Sequence, residues 1–534
     1  MFPVRMMFFP RSLRLVVLSF LAVCSAPSCS HLARRSEADK RPPMARAEEA
    51  WRLIAAGKGT PSAVMQYDNA VTEVVLDLAD KQSPDHWTGS MVLADGRTLK
   101  IDHGSAARHD VWPPKLFDHL RKRLKAHPTP ISTAIKPGLG AALDGVREHD
   151  SRDVNARFVY SKGQHLPVTA VIEFGKGATP AMLRLYDPRE VLSIKVGGES
   201  MTLAADFVLP VQEVLDKRCF LNAMVQGLFR PERFSNQGLY LQEPYRPDKV
   251  PVVFVHGLMS DPHIWENSVL ALMADPEIGR RVQCWCFMYP TGLPVANSAG
   301  RLRKGMEDAR MTFNPRDTDA GFNHTVMIGH SMGGLLTRMQ VQDSEEAYWR
   351  TWFRVPPSKI PLDGEVSKQL REALLFKANP HIKDVVFVAT PHRGSKLADS
   401  WIGRMGARLI RAPQQIVQLA TSVATLDVEM LAPERLSLSS FGINSVSSLS
   451  PRHPLFQALN SRPMTVPCHS IIIGNMGGRG LLLDSSDGIV PYSSSHLDEA
   501  VSEKIIPYRH SCVKQKECAE EVTRIVREHL HGRN

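Results

Sequence analysis

The sequence predicts an α/β fold, a mainly parallel sheet with helices on both faces, preceded by a smaller α+β domain. Three observations carry this prediction. Short, continuous apolar runs such as Val250–Val255, Val326–Ile328 and Val385–Ala389 suit strands buried on both faces. Helical stretches separate them, as crossovers between parallel strands require. Upstream, between Pro167 and Leu209, the runs are short and alternating, the pattern of a small antiparallel sheet.

Composition sets the outer limits. Of 534 residues 43% are hydrophobic and 22% charged, which excludes a disordered or collagen-like chain and supplies at least one large core. The excess of Lys and Arg, 65 against 55 Asp and Glu, leaves a formal charge of +10. No long basic run with interleaved aromatics concentrates that charge, so nucleic acid is not an expected partner.

The first 29 residues have the order of a targeting signal. Arg5, Arg11 and Arg14 precede the ten-residue apolar run Leu15–Cys24, which is too short to span a bilayer. Ser25-Ala26-Pro27-Ser28-Cys29 then resembles a bacterial lipoprotein processing site, with Cys29 as the acylated residue, although Ala26 stands where Leu is usual. Export follows, either to the cell envelope through a lipid anchor or as a secreted protein. Residues 30–46 read as a tether, residues 47–245 as the accessory domain and residues 246–534 as the larger domain.

Within the accessory domain Glu48–Ala56 and Ala63–Ala79 have helical spacing, and Asp95-Gly96 reads as a two-residue hairpin turn. Lys115–Ala126 reads as an amphipathic helix. Strands are expected at Val168–Phe174, Ala181–Tyr186, Leu192–Val196 and Ser200–Leu203. Of the later cysteines, Cys284 and Cys286 read as buried thiols, and Cys512 and Cys518 flank a short loop and are the favoured disulfide pair. No Cys/His cluster has zinc-site spacing, so no metal is expected.

The chemistry lies in the larger domain. Val250–Val255 runs into His256-Gly257-Leu258, where a sharp turn would aim the Leu258 N–H at a developing oxyanion, with Gly257 tolerating the backbone angles. Val326–Leu336 contains Gly329-His330-Ser331-Met332-Gly333 between an apolar strand and a helical pattern, the context a nucleophile elbow needs. Gly329 and Gly333 would let the elbow close, Ser331 Oγ would project free, and the Met332 N–H would be the second oxyanion donor. The acid is expected in Asp484-Ser485-Ser486-Asp487-Gly488; Asp487 is favoured over Asp484 because Gly488 and Ile489-Val490-Pro491 make a tight turn beneath it. The base should follow the acid. His510, between a strand-like run and the helix Ala519–His529, is favoured over His496, and His392 is assigned to the pocket.

Together His256-Gly257-Leu258, Gly329–Gly334, Ala389–Ser395 and Ser486–Pro491 resemble the α/β-hydrolase superfamily, and within it bacterial lipases and esterases and the deacylase and lecithin-cholesterol acyltransferase-like branch. The resemblance covers residues from about 245 to 534. It implies Ser331 as nucleophile, Asp487 as acid, His510 as base, and Leu258 and Met332 as oxyanion donors. It also implies an ester substrate, lipid or otherwise bulky, and no cofactor. An acyltransferase using the same residues and a non-catalytic envelope-binding protein are the alternatives. The departure is an insertion at about 396–463, expected to be helical and to act as a lid. If Cys29 is acylated, the mature protein will partition into detergent and Cys29→Ser will abolish that partitioning; an unmodified amino terminus elsewhere, found by mass spectrometry, would reject the anchor.

Overall fold

The computed structural model describes residues 41–534 except 106–108, 124–127, 176, 178, 216–226, 229, 232–233, 235–236, 362–363, 396–417, 419–420, 424, 433–444, 446, 474–481 and 533–534. The expected signal segment, with Cys29, and most of the expected lid lie outside the described residues. Pro43–Asn534 forms one compact unit.

Two packed helices open it, α1 (Pro43–Ala55) and α2 (Pro61–Lys81). Each starts on a proline, whose missing N–H is no loss in a first turn, and Thr60 Oγ1 caps α2 by accepting the Ala63 N–H at 3.2 Å. The folded body therefore begins at Pro43 rather than at residue 47: Met44 is buried, and Arg46 pairs with Glu73.

Next come β1 (Ser90–Val92), β2 (Thr98–Ile101), β3 (His119–Arg121), β4 (Ile135–Lys136), β5 (Ala141–Arg147), β6 (Gln164–Glu173), β7 (Ala181–Tyr186), β8 (Ser193–Val196), β9 (Glu199–Thr202) and β10 (Ala205–Asp206). Six of them form a sheet in the order β1-β2-β7-β6-β5-β3. It is mixed, because β2 runs parallel to β7, while β8 and β9 pair as a separate hairpin. The β1–β2 loop has three residues rather than two. Leu93 N–H donates to Arg97 O at 2.9 Å, and Gly96 takes the left-handed conformation (φ 80°) that a three-residue loop needs. Over its described residues, 115–123, the helix expected at 115–126 is not formed: Pro114–Leu116 is a 3-10 turn and His119–Arg121 pairs with β5. Edge pairing overrides the helical period there, with Leu120 turned into the core and His119 and Arg121 exposed.

The second sheet contains β11 (Gly238–Leu241), β12 (Val250–Val255), β13 (Val282–Met288), β14 (Thr325–His330), β15 (Ile382–Val388), β16 (Cys468–Ile473) and β17 (Ser502–Ile506). Their order is β11-β13-β12-β14-β15-β16-β17, parallel throughout except for β11 at one edge. Every residue of β12, β13 and β14 is buried, which explains their unbroken apolar runs. From β12 the chain moves outward to β13 and returns on the other side as β14. The carboxyl ends of β12 and β14 therefore flank a topological switch point, where open α/β sheets bind ligands.

The first sheet has its own core with α1 and α2, while segments outside that sheet but before β11 enter both cores of the second. Ile131, Ala134, Tyr160, Phe207 and Val211 pack with Val252, Phe254 and Ile328 on one face of the second sheet, and Phe158 joins the other face. A buried ionic cluster joins the segment after β7 to the segment after β11. Arg189, just after β7, bonds Asp187 at 2.8 Å and Glu243 at 2.7 Å. Lys249, which is fully buried, lies 3.5 Å from Glu243, and Arg246 reaches Glu190 at 2.8 Å. Removing one cation from such a cluster strands its carboxylates in a medium that cannot solvate them. Arg189→Leu is therefore expected to cost on the order of 3–5 kcal/mol, seen as a lowered thermal midpoint of the whole chain. An unchanged midpoint would show that the cluster contributes nothing net.

Candidate active site

Ser331 sits between β14 and the helix Met332–Arg338, with φ 54° and ψ −123°. A non-glycine residue adopts these angles only where its surroundings hold it, at a cost of about 1–3 kcal/mol. Here the restraints are explicit. Ser331 N–H donates to Val388 O at 2.8 Å, and Ser331 O accepts the Gly334 N–H at 2.9 Å. A Cβ on Gly329 would lie 2.6 Å from Gly333 O and from Thr337 Oγ1; one on Gly333 would strike the Val255 and His256 carbonyls, and one on Gly334 the Thr390 side chain. Helix, elbow and the ends of β12 and β15 thus touch at glycines.

Three expected residues meet at this elbow. Ser331 Oγ lies 2.9 Å from His510 Nε2, and His510 Nδ1 lies 2.6 Å from Asp487 Oδ2. The other carboxylate oxygen of Asp487 accepts the N–H groups of Ile489 at 2.7 Å and Val490 at 2.6 Å, a turn that Gly488 permits at φ 91°. Ser331 and the Asp487 carboxylate are buried, whereas the His510 side chain keeps 16% of its exposure. The competing candidates fall away. Asp484 is exposed at the end of a short 3-10 turn. His496 is held by Glu503 at 2.6 Å and Asp498 at 3.1 Å, and the Glu503 carboxylate raises its pKa.

The remaining predicted residues surround this group. Gly257 does not have a positive φ, and a Cβ there would be crowded, 3.0 Å from Ser331 Cβ and 3.1 Å from His330 Nδ1. The left-handed residue of that loop is Met259, with φ 50°. His256 stacks on Tyr289 and its Nδ1–H donates to Gly257 O at 3.0 Å. Because a trans peptide points its C=O and N–H in opposite directions, this bond aims the Leu258 N–H away from His256. The Met332 N–H heads its helix, where no intrahelical acceptor exists. His392 hydrogen-bonds to Arg338 and Asn460. It is fully buried, accepts from Arg338 at 3.3 Å, and has its carbonyl held by Asn460 at 3.0 Å, so it braces the loop after β15.

Two neighbouring features differ from expectation. Cys512 and Cys518 are both buried free thiols, with burial and then the Cys518 thiol pushing the Cys512 pKa well up; Cys284 and Cys286 are buried thiols as expected. In the expected insertion, Leu455–Ser461 is a helix whose Leu455, Phe456, Ala458 and Leu459 enter the core, and Ser395 N–H donates to Leu449 O at 3.0 Å. That part is a buttress for the loop after β15.

Burial sets the electrostatics. It pushes the His256 imidazole down to about 4 and that of His330 to about 3, so both are neutral near pH 7. Unfolded, each protonates near its ordinary value of 6.5, so the stability linked to neutral burial is complete above that value and is lost as pH falls toward 4 and then 3. The thermal midpoint should drop between pH of about 6.5 and about 5, and His256→Leu, which removes one titrating group, should make that slope shallower. Equal slopes in the two proteins would contradict the neutral assignment.

No protein-family model matches the chain, and no curated protein sequence matches it. Similar solved structures include a Bacillus licheniformis lipase in mature form, 15% identical, with 54% of this chain and 97% of that chain covered and a TM-score of 0.31. Another is lipase 1 from Pelosinus fermentans, 12% identical, with 52% and 99% covered and a TM-score of 0.33. A carboxylesterase structure from the thaumarchaeon Nitrososphaera gargenis is 11% identical, with 54% and 95% covered and a TM-score of 0.29. With its parallel sheet, its strand–elbow–helix at Ser331 and the chain order Ser331, Asp487, His510, the chain has the α/β-hydrolase fold.

Proposed function

We propose that the protein is a serine hydrolase of carboxylic esters, with Ser331 as nucleophile, His510 as general base and Asp487 as the acid that orients it. The supporting observation is the continuous hydrogen-bonded path from Ser331 Oγ through His510 to Asp487, at 2.9 and 2.6 Å, at a strained elbow. His510 Nε2 takes the Ser331 proton as Oγ attacks the ester carbonyl, and later returns a proton to the leaving alcohol. Asp487 holds the imidazole with Nδ1 protonated, so that Nε2 is the basic nitrogen. The Leu258 and Met332 N–H groups receive the oxyanion. Water then attacks the acyl-enzyme by the same base.

Lipid or other bulky acyl esters are the proposed substrates, and transfer to an alcohol uses the same groups. Export and a Cys29 anchor belong to the same proposal and would place the enzyme in the cell envelope. Ser331→Ala should lower ester hydrolysis by roughly three or more orders of magnitude with little change in thermal unfolding, and Asp487→Asn should cost far more activity than Asp484→Asn. The measurement is a p-nitrophenyl ester series from acetate to palmitate with purified protein. Wild-type turnover by the alanine variant would end the proposal, and acetate as the best substrate would replace lipid esters by small soluble ones.

A further inference from the structure

His510 has four hydrogen-bonding groups, and all four are engaged. Its N–H donates to Asp487 O at 3.2 Å, its Nδ1 faces Asp487 Oδ2 and its Nε2 faces Ser331 Oγ. Its carbonyl oxygen lies 3.0 Å from His330 Nε2. Asp487 and Ser331 already have parts in the proposed reaction; His330 does not.

We infer that His330 is a positioning residue: its Nε2–H anchors the backbone of His510, so that one elbow dipeptide, His330-Ser331, grips the base at both its main chain and its ring. This rests on the proposed function. A carbonyl only accepts, so the proton of His330 must be on Nε2. Its Nδ1 is buried with no hydrogen-bond partner, a cost that packing alone would avoid by placing leucine or methionine here. The two rings sit 5.0 Å apart, so a charged His330 would oppose the imidazolium that forms on His510. Burial, with His510 adding to it, keeps His330 neutral. The bond spans 180 residues of sequence and ties the main chain of His510 directly to the residue that precedes Ser331.

The test uses the full chain and compares wild type with H330L, which keeps apolar bulk and removes the donor, and H330Q, whose amide nitrogen can donate in its place. H330L should lower kcat by about tenfold or more with KM within about twofold, since small misplacements of a base act on the chemical step. The rate of fluorophosphonate labelling at Ser331 should fall by the same factor, the low-field Nδ1 proton signal of His510 should weaken, and H330Q should recover most of each. Wild-type kcat and labelling in H330L would overturn the positioning role, whereas wild type that fails to label would overturn the proposed function itself. Should H330L not fold, nitrogen-15 histidine spectra of the unmodified protein decide: the Nε2–H tautomer of His330 supports the inference, and the Nδ1–H tautomer overturns it.

Discussion

Everything at the candidate site depends on the closeness with which the elbow is pressed between neighbouring strand ends. Ser331 holds a positive φ because Gly333 rests on the Val255 and His256 carbonyls and Gly334 on Thr390, while Val388 O fixes the Ser331 amide. Two further non-glycine residues with positive φ, Met259 and Ala389, follow the adjacent strands β12 and β15. Three strained residues at three neighbouring carboxyl ends mean that the sheet, through its packing and ladder bonds, stabilises what local preference would reject. Any substitution that pushes these strands apart would relax all three turns together.

Polar groups at the site are handled in two ways. The Asp487 carboxylate is buried yet accepts two backbone N–H groups besides the imidazole, so its charge is compensated locally. His256 and His330 are buried neutral, each using one ring nitrogen to hold a backbone carbonyl. The first of those carbonyls belongs to the peptide that carries the Leu258 N–H, and the second to the proposed base. Neutral imidazole suits the second place because it donates a hydrogen bond without adding positive charge beside the proposed base.

The residues before β12 bear on this arrangement from outside. They supply β11 to the second sheet, apolar side chains to both of its faces and Arg189 to a cluster with Glu243. Such a seam, part apolar and part ionic, is costly to open because separation would bare both kinds of surface. The accessory region and the second sheet are therefore joined mechanically, whatever further role the first has.

Sequence alone determined the strands β12, β14 and β15, because burial on both faces demands continuous apolar runs, and it determined the position of Ser331 at a turn between strand and helix, because glycine spacing there reflects steric exclusion at fixed positions. That Asp487 and His510 would meet Ser331 was legible through chain order and the Gly488 turn. Pairing was less legible. The 119–121 segment carries a helical period yet became an edge strand, since a strand's partner is chosen by the sheet and not by its own residues. Likewise Gly257 looked like a turn glycine, but a serine 74 positions later crowds the place a side chain would take. His330 read as part of a motif, and only folding brought it to the carbonyl of a residue 180 positions away. Sequence records what each residue must avoid or bury locally; which distant groups it meets is decided by the tertiary structure, because long-range hydrogen bonds leave no periodic trace in the chain.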